Sequence, residues 1–299
     1  MLSKLKSPYW PLHLMLLPGL ILVLVYSYGP MLGIVIAFQK FMPAKGVFDS
    51  KWAGLDNFRY VLELPDSSRV LWNTVIIAFL KIVIGFIVPI IVALLLNEVR
   101  KEVFKRSIQT LVYLPHFLSW IILGGILIDV LSPSSGILNQ LLGWFGISPI
   151  YFLGDNSWFK PVLVITDVWK EFGFNTIVYL AALTSINPAL YEAAIVDGAG
   201  RWKQTWHITM PGMLPIIVLT LTLSMGSVLN AGFDQVFNLY SPQVYESGDI
   251  LDTFVYRIGL VDAQYGVATA VGLFKSIVSF VFISVSYYLA YRLANYRIF

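Results

Sequence analysis

Six stretches of this chain are long and apolar enough to cross a bilayer, over about residues 12–38, 71–96, 108–131, 161–183, 211–230 and 267–291. A hydrocarbon core of about 30 Å takes roughly 20 mostly apolar helical residues. Backbone groups in lipid must pair internally, so a span is a helix or part of a closed barrel. The ten-residue alternation of barrel strands is absent. The sequence therefore predicts an all-α integral membrane protein of six transmembrane helices. Composition agrees, with 58% hydrophobic and only 12% charged residues among 299, against about 25% charged in a soluble domain. No internal repeat or low-complexity tract divides the chain, which reads as a single transmembrane domain over 1–299. Lys4 and Lys6 precede a first apolar run longer than a signal-peptide core and without a clear cleavage site, so it reads as a retained helix.

Lys and Arg in the connecting segments set the orientation. One side holds Lys4, Lys6, Arg100, Lys101, Lys105, Arg106, Arg201, Lys203, Arg292 and Arg297, mostly on short loops and tails. The other holds Lys40, Lys45, Lys51, Arg59, Arg69, Lys160 and Arg257, concentrated in one long loop. The denser side is assigned to the cytoplasm, with both termini. Segments 39–70, 132–160 and 231–266 then lie outside. Their aromatics fit interfacial anchoring of helix ends and docking of an external partner equally well.

The cytoplasmic segment between the fourth and fifth spans, 187–210, is the most informative. It begins Asn187-Pro188-Ala189-Leu190-Tyr191-Glu192-Ala193-Ala194-Ile195-Val196-Asp197-Gly198-Ala199-Gly200. Asn187 suits a helix N-cap and Pro188 the first helical position. Gly198 suits the stop. Residues 188–197 then form a rod of about 15 Å. Leu190, Ala193, Ala194 and Asp197 share one face, and its alanines admit close approach of another backbone. A second short helical piece over 202–208 leads to Pro211 and the fifth span.

This string resembles the EAA loop of binding-protein-dependent ABC importer permeases. The resemblance rests on Glu192-Ala193-Ala194, Asp197-Gly198-Ala199, Ile208, Pro211 and Pro215, with Trp206 where the family commonly has Phe. The whole chain is similar to the maltose-type sugar permeases, and closest to the branch serving polysaccharide and oligosaccharide uptake in Gram-positive bacteria. Tyr28-Gly29-Pro30-Met31, Asn73-Thr74, Tyr113-Leu114-Pro115, Trp169-Lys170-Glu171-Phe172-Gly173-Phe174-Asn175-Thr176, Phe233-Asp234-Gln235 and Asp252-Thr253 carry that match, as does the stretch 268–275.

The resemblance implies a type I ABC importer permease with a cytoplasmic coupling helix, in a bacterial cytoplasmic membrane. It implies a second, unlike permease beside this one, two ATPase subunits beneath, and an extracellular solute-binding protein that delivers a sugar. ATP and magnesium are expected on the ATPases and no cofactor in this chain. Glu192, Ala193, Ala194, Asp197, Gly198 and Ala199 are the expected coupling residues, the helix entering a groove of an ATPase subunit.

Substrate-lining candidates come from ionisable groups within spans, which cost about 2.5–3.5 kcal/mol each on insertion scales. Lys170 and Glu171 fall about 14–15 Å into the fourth span, near the midplane. Asp167, Glu171 and Phe174 share a face with Asn175 beside it. Carboxylates, an amide and an aromatic ring suit sugar hydroxyls and the apolar ring face. An Asp167–Lys170 pair that only fixes helix packing is the competing reading. On the fifth span Thr220, Ser224, Ser227 and Asn230 form a second polar stripe, with Ser224 and Asn230 as cavity candidates. Such residues also serve simply to join helices. The single lysines Lys81 and Lys275 fit either a carboxylate partner or an acidic sugar. The sugar itself, neutral or acidic, is left open.

Enzymatic readings fail on inventory. There is no cysteine, and His13, His116 and His207 show no metal-binding spacing. Neither a nucleophile elbow nor a phosphate-binding Gly-rich loop is present, so ATP hydrolysis must come from a partner. A permease of the same class for a non-sugar solute is the main alternative. A self-sufficient secondary transporter would show matched midplane breaks in two repeats, and has no use for residues 187–210.

The absence of cysteine makes the orientation directly testable. Cysteines placed by Lys4→Cys and Arg201→Cys are expected to resist an impermeant reagent added outside, while Asp56→Cys reacts. Labelling of the cysteine at position 201 from outside would overturn the orientation.

Overall fold

The computed structural model describes residues 9–294; Lys4, Lys6 and Arg297 lie outside the described residues. The helices in chain order are α1 (Trp10–Val23), α2 (Asp56–Glu63), α3 (Pro65–Glu98), α4 (Glu102–Tyr113), α5 (Trp120–Val130), α6 (Ile137–Trp144), α7 (Asn156–Thr184), α8 (Pro188–Val196), α9 (Arg201–Gln204), α10 (Met210–Met225), α11 (Phe233–Leu239), α12 (Tyr245–Gly248), α13 (Leu251–Tyr256) and α14 (Tyr265–Ala294). Segments 39–70, 132–160 and 231–266 thus contain helices of their own.

Four helical stretches among the described residues are long and apolar enough to span: Trp10–Phe38, Pro65–Glu98, Arg201–Met225 and Tyr265–Leu289. The first extends α1 through a π-turn and a 3-10 segment, and the third joins α9 to α10 through a π-turn. A fifth is a broken pair, Glu102–Phe117 with Trp120–Val130, bent by 103°. α7 has 29 residues, about 44 Å of helix, but Asp167, Lys170 and Glu171 interrupt its apolar run.

Two of the expected spans differ in form. The third is not one straight helix. Pro115 brings no N–H, Leu118 and Ser119 are extended at ψ 135° and 153°, and the Ser119 hydroxyl caps α5 by accepting Ile122 N–H at 3.4 Å. The fifth begins ten residues earlier than expected, at Arg201 rather than 211, and stops at Met225. Asn230 therefore sits beyond its end, in the turn before α11.

The chain forms two compact units, one of residues up to Leu64 with Val255–Phe274, the other of Pro65–Phe254 with the chain from Lys275 on. In the first, Gln39–Lys40 pairs antiparallel with Lys51–Trp52. Asn57 at the head of α2 donates to the carbonyls of Ala37 at 2.8 Å and Gln39 at 2.9 Å.

The second unit is organised by α3 and α7, whose mutual packing is the most extensive of its helix pairs. Ile77 and Ala78 of α3 meet Leu163 of α7, Leu123 and Leu127 of α5, and Val236 and Leu239 of α11 in one buried cluster. Ile90 and Ala93 meet Tyr179, Leu183 and Met213 in a second. Close approach of α7 to α4 depends on Gly173, where any Cβ would collide with the Val112 carbonyl.

The polar face of α3 fastens the segment after α11. Asn73, 3% exposed, donates to the carbonyls of Glu246 at 3.0 Å and Asp249 at 3.2 Å. Thr74 Oγ1 accepts Leu251 N–H at 2.8 Å. Lys275 of α14 pairs with Asp252 at 2.6 Å. Asn73→Ala leaves the buried Asp249 carbonyl and the part-buried Glu246 carbonyl without this donor and is expected to cost about 1–3 kcal/mol. A thermal midpoint in detergent equal to that of the unaltered protein would refute that role.

Candidate functional site

Asp167, Glu171 and Asn175 recur every four residues on α7, so they stack on one face. That face borders a cavity of about 460 Å³, closed on its other sides by Lys81 and Phe86 of α3, Thr220 and Ser224 of α10, and Asn230 and Gly232 of the following turn. Five of the seven expected substrate residues, Asp167, Glu171, Asn175, Ser224 and Asn230, are brought together there. Ser224 Oγ donates to the Thr220 carbonyl at 2.8 Å, and Thr220 Oγ1 lies 3.0 Å from the Tyr179 hydroxyl.

Lys170 and Phe174 do not line this cavity. The Lys170 side chain, 8% exposed, donates to the His116 carbonyl at 2.8 Å and to Glu171 Oε1 at 2.9 Å. The break between α4 and α5 frees that carbonyl from helical pairing, and the ammonium takes it up. Phe174 stacks on the His116 ring, centroids 4.1 Å apart and planes within 5°. One ring face is therefore covered by His116, while the side chain remains 41% exposed. His116 Nδ1 lies 2.7 Å from Glu171 Oε2.

The expected alternative pairing of Asp167 with Lys170 is not formed. Asp167 Oδ1 pairs instead with Lys81 Nζ at 3.0 Å. Lys81 also donates to the Ala231 carbonyl at 2.7 Å and to Gln235 Oε1. Three acceptors satisfy all three ammonium protons. Gln235 in turn donates to the Leu163 carbonyl and Thr166 Oγ1, each at 2.8 Å. Gly232 sits beside this ammonium at φ 90°, a backbone conformation that L side chains rarely adopt, and a Cβ there would stand 2.9 Å from Lys81 Nζ.

A second candidate region lies at the other end of α7. Asn187 caps α8 by accepting Ala189 N–H at 3.0 Å. At its far end Gly198 adopts φ 76°, and Ala199 N–H and Gly198 N–H turn back to Ala194 and Ile195 carbonyls at 2.8 and 3.0 Å. That is a Schellman closure, which a left-handed glycine permits. Glu192, Ala193, Asp197 and Gly198 are exposed, and Ala194 and Ala199 half-buried. Ile195 and Val196 stand 64% and 87% exposed. The loop is braced by Tyr191 on Thr209 at 2.9 Å, by Gln204 on the Ala199 carbonyl at 2.7 Å, and by an Arg201–Glu98 ion pair.

Residues 85–295, which include the α8 region and the cavity lining apart from the α3 residues up to Ile82, match the family described as binding-protein-dependent transport system inner membrane component. The chain belongs to this family of permeases. The permease is 44% identical to the polygalacturonan/rhamnogalacturonan transport system permease protein YteP of Bacillus subtilis (strain 168), over 95% of this chain and 87% of that one. Among solved structures, it is similar to a chain of a bacterial ABC transporter involved in import of the acidic polysaccharide alginate, at TM-score 0.90 and 40% identity, covering 97% of this permease and 98% of that chain. It also matches a chain of a bacterial alginate ABC transporter in complex with alginate pentasaccharide-bound periplasmic protein, at TM-score 0.91 and 38% identity, with 99% of each chain covered.

Three residues of the permease cavity network escaped the sequence reading as site residues: His116, Gln235 and Lys81, the last left undecided. His116 directly follows the motif Tyr113-Leu114-Pro115 and Gln235 ends Phe233-Asp234-Gln235, but their contacts come from segments 55 and 72 residues away. Removing one partner of a buried ion pair costs about 3–5 kcal/mol, whereas removing both is far milder. Lys81→Met is therefore expected to lower folded yield and thermal midpoint sharply, and Lys81→Met with Asp167→Asn to recover most of the loss. A double variant no better than the single one would show that the pair is not what holds these helices.

Proposed function

We propose that the chain is one of two unlike permease subunits of an ATP-driven importer that carries an oligosaccharide into the cytoplasm by alternating access. The observation that carries the sugar reading is the cavity of α3, α7 and α10. Its carboxylates, amides and hydroxyls converge inside an apolar helix bundle, as a polyhydroxylated solute requires. The relatives support it, being named for polygalacturonan, rhamnogalacturonan and alginate.

α7 serves as the sixth span in this reading. Its ionisable groups are tolerated at membrane depth because they pair within the protein and face a cavity. Both termini and α8 are cytoplasmic, supported by Arg100, Lys101, Lys105, Arg106, Arg201 and Lys203 clustering just before α4, in its first two turns and in α9. The whole chain, 1–299, acts as one permease domain.

Two ATPase subunits supply the energy, since the sequence has no phosphate-binding loop, and a solute-binding protein outside delivers the sugar. Glu192, Ala193, Ala194, Asp197, Gly198 and Ala199 form the contact to one ATPase. Support comes from the exposed apolar side chains of α8, which solvent would leave unpaired, and from its fixed ends. ATP-driven closure of the ATPase pair then biases a two-state equilibrium of the permeases.

The test is co-purification of the chain with its ATPase, together with ATP-dependent uptake. Ala194→Trp crowds the docking face, and Gly198→Pro cannot adopt φ 76°. Both are expected to leave membrane insertion intact while abolishing ATPase association and uptake. Retention of both activities by both variants would sink the coupling role.

A further inference from the structure

The wall of the α3, α7 and α10 cavity carries one cationic and two anionic side chains, Lys81 against Asp167 and Glu171. Their hydrogen bonds decide what the wall still offers a solute. The Lys81 side chain is 8% exposed, and its three protons go to Asp167, the Ala231 carbonyl and Gln235. Lys170, which balances Glu171, is buried off the wall and also bonded to the His116 carbonyl. No arginine lines the cavity. The cations are thus spent inside the protein.

The carboxylates are not spent. An ionised carboxylate has about four acceptor sites. Asp167 uses one, toward Lys81, and Glu171 uses two, toward Lys170 and His116. Asp167 and Glu171 are 24% and 33% exposed. Asn175 is exposed and has no hydrogen-bond partner among the described residues, so its amide both donates and accepts freely. The wall presents acceptors in excess, and its one cation has no donor left.

From this we infer that the wall reads a saccharide through its hydroxyl hydrogens and discriminates against carboxylates. Any preference of the assembled importer for uronic acids must then come from surfaces outside this chain. A sugar hydroxyl donates to Asp167 or Glu171 in a charge-assisted bond. A uronate carboxylate has no proton to donate there at neutral pH, and meets like charge in a partly desolvated cleft. This inference rests on the saccharide reading of the cavity.

The experiment measures binding to the purified importer complex in detergent by calorimetry, with a galactose trisaccharide and with trigalacturonate, which differ in the oxidation of C6. Glu171→Gln removes one wall charge and is expected to raise the ratio of trigalacturonate to neutral affinity about tenfold. Asn175→Asp adds a charge at an exposed position without internal partners, and is expected to lower that ratio about tenfold. Because Asn175 is exposed and makes no hydrogen bond among the described residues, this second variant decides the matter if Glu171→Gln fails to assemble. A ratio unchanged or shifted the other way in the assembled variants overturns the inference while leaving a saccharide site standing. Absence of binding by both trisaccharides overturns it together with the saccharide reading.

Discussion

An ammonium group inside an apolar helix is tolerable only where the protein supplies every acceptor it needs. Lys81 meets that condition through Asp167 of α7, the Ala231 carbonyl and Gln235 of α11. The requirement acts on three separate parts of the chain at once. It sets the register of α3 against α7, because Asp167 must stand at the height of Lys81. It holds the turn at Gly232 against the ammonium, and so fixes where α11 begins. Gln235 spreads the constraint to Leu163 and Thr166, within the turn that precedes Asp167 on α7. Apolar packing at Ile77, Leu163 and Val236 fills the space around this knot, but such packing has no direction of its own. The ionic contact supplies the direction.

The same logic explains why the least apolar of the long helices lies against so many others. α7 packs on α3, α4, α10 and α12, so its charged groups are met from several sides. Lys170 and Glu171 form a second knot with His116 at the break between α4 and α5. A straight third span would keep the His116 carbonyl within its own helix and leave Lys170 short of an acceptor. The break and the buried lysine are therefore two halves of one arrangement, and both knots leave carboxylate oxygens at the edge of the cavity.

What was legible in the sequence was what is local. Hydropathy marked the apolar runs, and the cap and stop residues around α8 marked its ends, because Asn187, Pro188 and Gly198 act on neighbours within a few positions. The four-residue spacing of Asp167, Glu171 and Asn175 put them on one face for the same reason. Partners at long sequence separation were not legible. Asp167 has Lys170 three residues away and Lys81 eighty-six away, and only packing decides between them. The stacking of Phe174 on His116 was equally hidden, because His116 arrives from the segment between α4 and α5. The bend at Leu118 and Ser119 is signalled by Pro115, yet hydropathy over 108–131 runs through it unbroken.

The junction between the two candidate regions is mechanical. The stretch Arg201–Met225 is a continuous helix of 25 residues, so Ser224 stands about 35 Å along the axis from Arg201. At the Arg201 end it is braced to α3 through Glu98 and to α8 through Tyr191 and Ala199. At the other end Thr220 and Ser224 are cavity wall. Helices transmit axial and rigid-body displacement with little loss, because bending one requires an identifiable defect. Here the candidates are the π-turn at Thr205–Thr209 and Pro215, both on the α8 side of Thr220. The stretch after Pro215, which carries Thr220 and Ser224, has neither, so this part of the cavity wall moves as a unit with whatever passes that joint.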